Sequence, residues 1–229
     1  MLKNIVTYSF LLIVLNANAQ TQPKIPFIIS GDKITDGIKL NDNGKYDDAI
    51  NLFKQVPVND TNYAWALYET AFSMYNSGDK KASAEKCEEG LLLHDYNVDD
   101  FYNLAGRCYM DNEENEKSIT VFKKGISEFP LNYRIWGGLG QVYEQNEQPD
   151  SAMWAYQHAL QINPFSAISH LRLGMICYNY YQTVQAMMSL TMYLLLSPDA
   201  DNSMQVIDNL ESLAHVSLPD DTLPLKPID

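Results

Sequence analysis

The chain has 229 residues, 29 of them acidic and 16 basic, which gives a formal net charge of −13 at pH 7. A chain this acidic repels nucleic acid and anionic membrane surfaces, so we expect neither as a ligand. The three cysteines lie far apart in the sequence, a spacing that suits neither a disulfide framework nor a structural metal site.

Residues 1–19 differ from the rest of the chain. Lys3 is their single charge, residues 5–15 form a short apolar run, and Ala17 and Ala19 follow in a small-x-small arrangement. This pattern is typical of a secretory signal peptide, and the apolar run is too short to span a bilayer as a helix. We expect cleavage before Gln20, no membrane insertion afterwards, and a mature protein in the periplasm or cell envelope of a Gram-negative bacterium.

Residues 20–29 contain two prolines and are expected to be extended; they end in the apolar string Ile25–Ile29. From Ser30 onward the chain repeats itself. The strings SITVFKKGISEFP, SAMWAYQHALQINP and QAMMSLTMYLLLSP are three versions of one pattern. Their alignment divides the chain into five units, of which four have 34 residues and the second has 35: Ser30–Tyr63, Ala64–Val98, Asp99–Asn132, Tyr133–Ser166 and Ala167–Ala200. A fixed period of this size predicts stacked supersecondary units.

Each unit contains the apolar spacing of two short amphipathic helices. In the fourth unit, one helical face at i, i+3, i+4 and i+7 is formed by Trp136, Leu139, Gly140 and Tyr143. Pro149 separates this helix from a second one, whose apolar face is formed by Ala152, Tyr156 and Ala159. Because a glycine inside a helix costs about 1 kcal/mol relative to alanine, its recurrence at one place in several units indicates close helix packing.

The pattern resembles the tetratricopeptide repeat family, with Trp/Leu/Gly/Tyr in the first helix of a unit and Ala/aromatic/Ala/Pro in the second. The resemblance covers residues 30–200 and is closest in units three to five. Unit one lacks the closing proline, and unit two has Cys87 and Gly90 in place of the aromatic residue and the alanine. The resemblance implies an all-α, right-handed superhelical solenoid of five helix-turn-helix units that acts as a protein-binding adaptor or assembly scaffold.

Two segments follow the repeats. Residues 201–216 are amphipathic and are expected to form a helix that closes the array, with Val206, Leu210 and Leu213 facing inward. Residues 217–229 are rich in proline and are expected to form a flexible tail.

No catalytic motif is found in the sequence. It lacks a phosphate-binding loop, a nucleophile elbow and a His-Glu-x-x-His zinc motif, and its histidines (His94, His158, His170 and His215) are scattered singly. We therefore expect no enzymatic activity, metal or cofactor. Cys87 and Cys108 fall on neighbouring helices, and the sequence leaves open whether they form a disulfide or remain two buried thiols.

The family resemblance also implies that the first helices line a concave groove. The side chains predicted to face this groove in units two to five are Trp65, Tyr68, Phe72, Tyr75, Asn103, Arg107, Gln141, Leu171, Met175 and Tyr178. In unit one, Ile34 and Ile38 take the corresponding positions. The four aromatic residues of unit two favour an interaction site, because a large exposed apolar patch usually marks one and aromatic side chains are the usual anchors of binding energy.

Several interpretations of these aromatic residues remain open. They could bind an extended peptide or a helix of another protein, whose identity the sequence does not give. They could be covered by Ile25–Ile29 or by a second copy of the chain, which would make the protein a self-associating structural protein. They could stack on the sugar rings of an envelope polysaccharide. A shift of one residue in the assumed helix rotation would instead place them in the core.

We predict that the mature protein begins at Gln20, because the small-x-small site follows a short apolar core. N-terminal sequencing of the protein from the cell that makes it tests this prediction. An Ala19→Arg variant should keep its leader, because the cleavage site requires a small residue there. A mature protein that still begins with Met1 would contradict export.

Overall fold

The computed structural model describes residues 30–93 and 98–217, and over these residues all regular secondary structure is helical. The predicted signal peptide, the extended segment 20–29, His94 and the tail from residue 218 lie outside the described residues. The helices are α1 (Gly31–Asp42), α2 (Tyr46–Phe53), α3 (Tyr63–Asn76), α4 (Lys80–Leu91), α5 (Val98–Asp111), α6 (Asn115–Glu128), α7 (Tyr133–Gln145), α8 (Pro149–Ile162), α9 (Ala167–Asn179), α10 (Thr183–Leu196) and α11 (Ser203–Ser217).

The helices stack in chain order as a solenoid. Each helix contacts the next along the chain, and the first helices of neighbouring units also contact each other, as in the pairs α1–α3, α3–α5 and α5–α7. The first helices therefore lie side by side along one face, and the second helices form the opposite face. At the end of the array α11 packs on α10, where Val206 and Leu213 are buried as expected. The predicted all-α solenoid is confirmed.

The two helices of each unit approach so closely that the first helix has no room for a large side chain at the contact. A Cβ atom built on Gly140 of α7 would lie 2.7 Å from Cε1 of Tyr156 on α8. The same contact, between residues sixteen positions apart, recurs in three other units as Gly37–Phe53, Gly106–Phe122 and Gly174–Leu190. The second unit has Ala71 and Cys87 at these positions, and both are fully buried. Alanine is larger than the glycine of the other units, and cysteine is smaller than their Phe, Tyr or Leu, so the two changes offset each other.

In two units the two helices are close enough for a serine hydroxyl of the second helix to donate a hydrogen bond to a backbone carbonyl of the first. Ser83 Oγ donates to the carbonyl of Ala71 and Ser118 Oγ donates to the carbonyl of Gly106, both at 2.7 Å. The other units have fully buried alanines at the matching positions, Ala49, Ala152 and Ala186. A small residue is therefore required on the second helix as well as on the first.

One backbone conformation marks the turn between the two helices of every unit. Residues with positive φ occur at Gly44, Gly78, Glu113, Glu147 and Tyr181. Their spacing is 34 residues except between the second and third units, where it is 35. A left-handed residue is the usual way to end a helix, because it turns the chain while the last carbonyls find partners. In the fourth unit, for example, the Gln148 N–H donates to the Tyr143 carbonyl at 2.9 Å.

We predict that Gly140→Ala destabilises the protein although alanine is the better helix former. The new Cβ would lie within 3.0 Å of three atoms of the Tyr156 ring, which is 1% exposed and cannot move aside. Overpacking of this kind costs about 1–3 kcal/mol, and over most of that range the cost exceeds the gain of about 1 kcal/mol from helix propensity. Urea denaturation followed by circular dichroism measures the change.

Gly137→Ala in the same helix is the matched control. The nearest atom to the added methyl carbon would be Ser169 Oγ at 3.9 Å, which is ordinary contact. This variant should be as stable as the parent or more stable, by up to about 1 kcal/mol. Equal stabilisation by both substitutions would show that α7 and α8 do not pack as closely as described.

Candidate functional site

The candidate site is the surface of the first helices α3, α5, α7 and α9 that faces away from their own second helices. The predicted groove residues of unit two form an aromatic patch on α3, consisting of Trp65, Tyr68, Phe72 and Tyr75. Trp65 is 40% exposed, whereas the other three are partly buried against the core around α3, α4 and α5. The patch is therefore neither free surface nor plain core.

The inner edges of the aromatic patch pack on α5. The ring of Tyr68 meets Phe101 of α5 edge-on, with ring centroids 5.6 Å apart and planes at 82°. Phe72 stacks nearly parallel to Tyr68, with centroids 6.2 Å apart. Burial raises the pKa of Tyr68 to about 12, and the negative charge of Asp100 acts in the same direction.

Tyr75 belongs to a polar cluster rather than to an apolar surface. Its hydroxyl donates to Asp111 Oδ2 at 2.5 Å and accepts from Arg107 Nη2 at 3.1 Å. The ammonium group of Lys80 lies 3.3 Å from the ring centroid, a cation–π contact. Burial and the hydrogen bond to Asp111 raise the pKa of Tyr75. These contacts fix the Arg107 side chain beside the aromatic patch.

A cleft with several polar groups in its lining, which we call the polar cleft, continues the groove from α5 to α9. It has a volume of about 260 Å³ and brings together three of the predicted residues, Asn103, Arg107 and Gln141. The rest of its lining is formed by Tyr133, Arg134, Gly137, Gly138, Tyr156, Ser166, Ile168 and Ser169. Arg134 is paired with Asp100 at 3.3 Å, so Arg107 is the guanidinium that faces this cleft without an ion pair among the described residues. The cleft offers amide and guanidinium donors to a ligand.

The predicted residues of unit five lie apart from the polar cleft. Leu171 and Met175 of α9 are partly buried against the core formed with α10 and α11, and Tyr178 is partly buried against the central core. Asn209 Nδ2 of α11 approaches Met175 Sδ at 3.4 Å. Part of the surface of Leu171 and Met175 is therefore taken up by contacts with the end of the array, and part of Tyr178 by contacts with the central core.

One groove expectation was wrong, and the cleft lining includes residues that were not predicted, among them two serines. Ile34 is fully buried with Phe53 and Ala66, because α3 presents the small Ala66 where α1 approaches it. Ile38 is only partly buried. Ser166 and Ser169 line the polar cleft with hydroxyl oxygens 2.8 Å apart. The place of Ser166 just before α9 is a signal for a turn, but no sequence pattern points it at a groove.

The cysteines are buried and unbridged. Cys108 Sγ donates to Ser83 Oγ at 3.1 Å, and hydrogen bonding to the Cys108 thiol together with burial raises the pKa of the Cys87 thiol. Across residues 30–93 and 98–217, no group of three or more His, Cys, Asp or Glu side chains could hold a metal ion. Within the same residues, no helix combines the length and apolarity that a membrane span requires.

Residues 99–130 and 133–166, which are units three and four, match the family model described as tetratricopeptide repeat. Over these two units the chain matches the tetratricopeptide repeat. The match agrees with the all-helical stack and with the recurring glycine contact in these two units.

Similar proteins of known name align with up to about half of this chain. The anaphase-promoting complex subunit 3 of Schizosaccharomyces pombe is 33% identical over 113 residues, which are 49% of this chain and 16% of that protein. The photosystem I assembly protein Ycf3 of a Synechococcus strain is 27% identical over 132 residues, or 49% of this chain and 75% of that protein. The chain thus spans only a small part of two of its relatives, with 16% of one and 13% of the other covered.

Solved structures with the same fold cover more of the chain. PilF of Pseudomonas aeruginosa has a TM-score of 0.65 at 16% identity, over 81% of this chain and 88% of that one. A thermophilic tetratricopeptide protein of Thermus thermophilus has a TM-score of 0.62 at 17% identity, over 80% and 98% of the two chains. At these identities the likeness concerns the fold.

We predict that Tyr68 ionises near pH 12 in the folded protein, because burial disfavours the phenolate. Its folded pKa lies above the ordinary tyrosine value of 10.0, so its contribution to stability is complete below about pH 10 and is lost as the pH rises toward 12. The measurement is absorbance at 295 nm for the parent and Tyr68→Phe, with circular dichroism at each pH to show that the helices persist. A difference titration centred near pH 10 would mean that the ring faces bulk water.

Proposed function

We propose that the protein is a non-catalytic adaptor or assembly scaffold that binds a peptide or helix of another protein along the groove of its first helices. The observation that carries this proposal is the continuity between the aromatic patch and the polar cleft. Arg107 joins them, because it donates to Tyr75 on one side and lines the cleft with Gln141 on the other.

The aromatic patch supplies the apolar part of such a site. Trp65 is 40% exposed, and its indole N–H donates to Glu69 Oε1 at 3.0 Å, which fixes the orientation of the ring. Tyr68 and Phe72 on the same helix are only partly buried, and Tyr68 is held by Phe101 and Phe72 by stacking on Tyr68 and by the core. Aromatic side chains that are already fixed lose little entropy on binding and are frequent hot spots.

The polar cleft supplies direction and specificity. Asn103 and Gln141 can each donate and accept hydrogen bonds, which suits the backbone of a bound segment. Arg107 adds a positive charge within an otherwise acidic chain. The aromatic patch lies on α3 and the polar cleft beside α7, so an amphipathic segment with apolar side chains on α3 and polar groups near α7 fits the groove.

The names of the relatives support the proposed assembly role, and the N-terminal sequence supports a location outside the cytoplasm. One relative is named as a photosystem I assembly protein and another as a subunit of the anaphase-promoting complex, which suits a role in assembling other proteins. We also propose that the protein acts after export, in the periplasm or cell envelope, because residues 1–19 have the pattern of a signal peptide.

Site-specific photo-crosslinking in the producing cell tests the groove. A photoreactive phenylalanine analogue placed at Trp65 or Gln141 should trap the same partner protein, identified by mass spectrometry. The analogue placed at Glu85, which is exposed on the opposite face of the solenoid, is the control and should not trap it.

With the trapped partner purified, Trp65→Ala should weaken binding by about 30-fold, the equivalent of about 2 kcal/mol for an aromatic hot spot. The thermal melt of this variant should match that of the parent, because Trp65 is one of the exposed side chains. A partner trapped at Glu85 and not at the groove positions would place the interaction on the other face and refute the proposal.

A further inference from the structure

The outer face of α10 carries an exposed apolar stripe that the groove does not use. Val184, Met188 and Leu195 are 73%, 67% and 71% exposed, and Thr191 completes the stripe. The opposite face of the helix is buried through Ala186, Leu190 and Tyr193. No residue of the fourteen-residue helix is charged. We call Val184, Met188, Thr191 and Leu195 the outer stripe.

The second helices of the other units show that this stripe is peculiar to the last unit. The equivalent positions are mostly charged or polar: Asp47, Asn51, Lys54 and Val58 in unit one, Lys81, Glu85, Glu88 and Leu92 in unit two, Glu116, Thr120, Lys123 and Ser127 in unit three, and Asp150, Trp154, Gln157 and Gln161 in unit four. Among the described units, only α10 has uncharged side chains that each carry a methyl group at all four of these positions. It is also a helix without any charged residue.

We propose that the outer stripe pairs with the same stripe of a second copy of the chain, in an antiparallel two-fold dimer. The stripe residues are spaced by four, three and four positions, and this order reads the same in both directions. A two-fold axis at the middle of α10 therefore places Val184 opposite Leu195 of the second copy and Met188 opposite its Thr191. Such a self-complementary surface is what an isologous interface requires.

Charge favours a second copy over a membrane surface. Each chain carries a net charge of −13, so two copies repel one another least where neither presents a charge. The stripe contains no Lys or Arg and is followed by Asp199 and Asp201, which anionic lipid headgroups would repel. An uncharged stripe that meets its own copy leaves no charge buried without a partner.

Two exposed aromatic residues extend the same face. Tyr181, in the turn before α10, has φ 59° and is 91% exposed. Pro198, just after the other end of the helix, is also exposed. Trp154 takes the position of Met188 in unit four and is 47% exposed. A single helix remains smaller than a standard interface of about 800 Å² per partner, so we expect the dimer to be weak.

Pairing through α10 leaves the groove of each copy open, because the outer stripe and the groove lie on opposite faces of the solenoid. A dimer therefore presents two grooves at once. Two linked grooves hold a partner that carries two copies of the recognised segment more tightly than one groove does. Formation of the dimer does not depend on which segment the groove binds.

Sedimentation equilibrium over a range of concentrations up to several hundred micromolar tests the proposal. The weight-average mass should rise toward twice the monomer value, and Met188→Glu/Leu195→Glu should raise the dissociation constant at least tenfold with an unchanged thermal melt. Thr120→Glu/Ser127→Glu, at the equivalent positions of α6, is the matched control and should dimerise as the parent does. A parent that stays monomeric, or that instead sediments with phosphatidylglycerol vesicles, would overturn the proposal.

Cysteine crosslinking tests the antiparallel arrangement. A Val184→Cys chain mixed with a Leu195→Cys chain of different mass should form a disulfide-linked heterodimer under mild oxidation. Either variant alone should crosslink much less, because like positions lie at opposite ends of the interface. The native cysteines are buried and do not compete. Efficient crosslinking of each variant to itself would show a parallel pairing and contradict the proposed geometry.

Discussion

The solenoid depends on how closely the two helices of each unit approach each other. A small residue of the first helix lies directly against a bulky side chain of the second, as Gly106 does against Phe122. The bulky side chain fills the space that a larger residue would take, so the pair is packed with little freedom to shift. Buried serines such as Ser118 then reach a backbone carbonyl across the contact. This geometry fixes which face of each first helix is left for the groove.

The candidate groove follows from that fixed rotation. α3 uses Leu67 and Ala71 in the core, so Tyr68 and Phe72 lie at the edge, partly on α5 and partly in the groove. The same side chains therefore stabilise the fold and present surface to a partner. Further along, Gly137 has no side chain and leaves room for the polar cleft beside Gln141, whereas Gly138 makes room for the Phe122 ring in the core. An apolar surface and a polar surface thus lie next to each other on one rigid array.

Much of the fold could be predicted from the sequence because its repeat is regular. The spacing of Trp136, Leu139 and Gly140 predicted the helix face that is buried in α7. The groove could be predicted less well, because burial at its edge depends on the neighbouring unit. Ile34 is covered since α3 places Ala66 against it, and Tyr68 is half covered by Phe101. Neither contact follows from the spacing within a single unit.

A double-mutant cycle on Gly140 and Tyr156 tests the packing constraint most directly. The second unit has alanine and cysteine at these positions, in Ala71 and Cys87, so Tyr156→Cys should make room for Gly140→Ala. We predict that the two changes together cost at least about 1 kcal/mol less than the sum of their separate costs in urea denaturation, since contacting residues couple by about 0.5–3 kcal/mol. Additivity within about 0.5 kcal/mol would contradict the close helix approach on which this account rests.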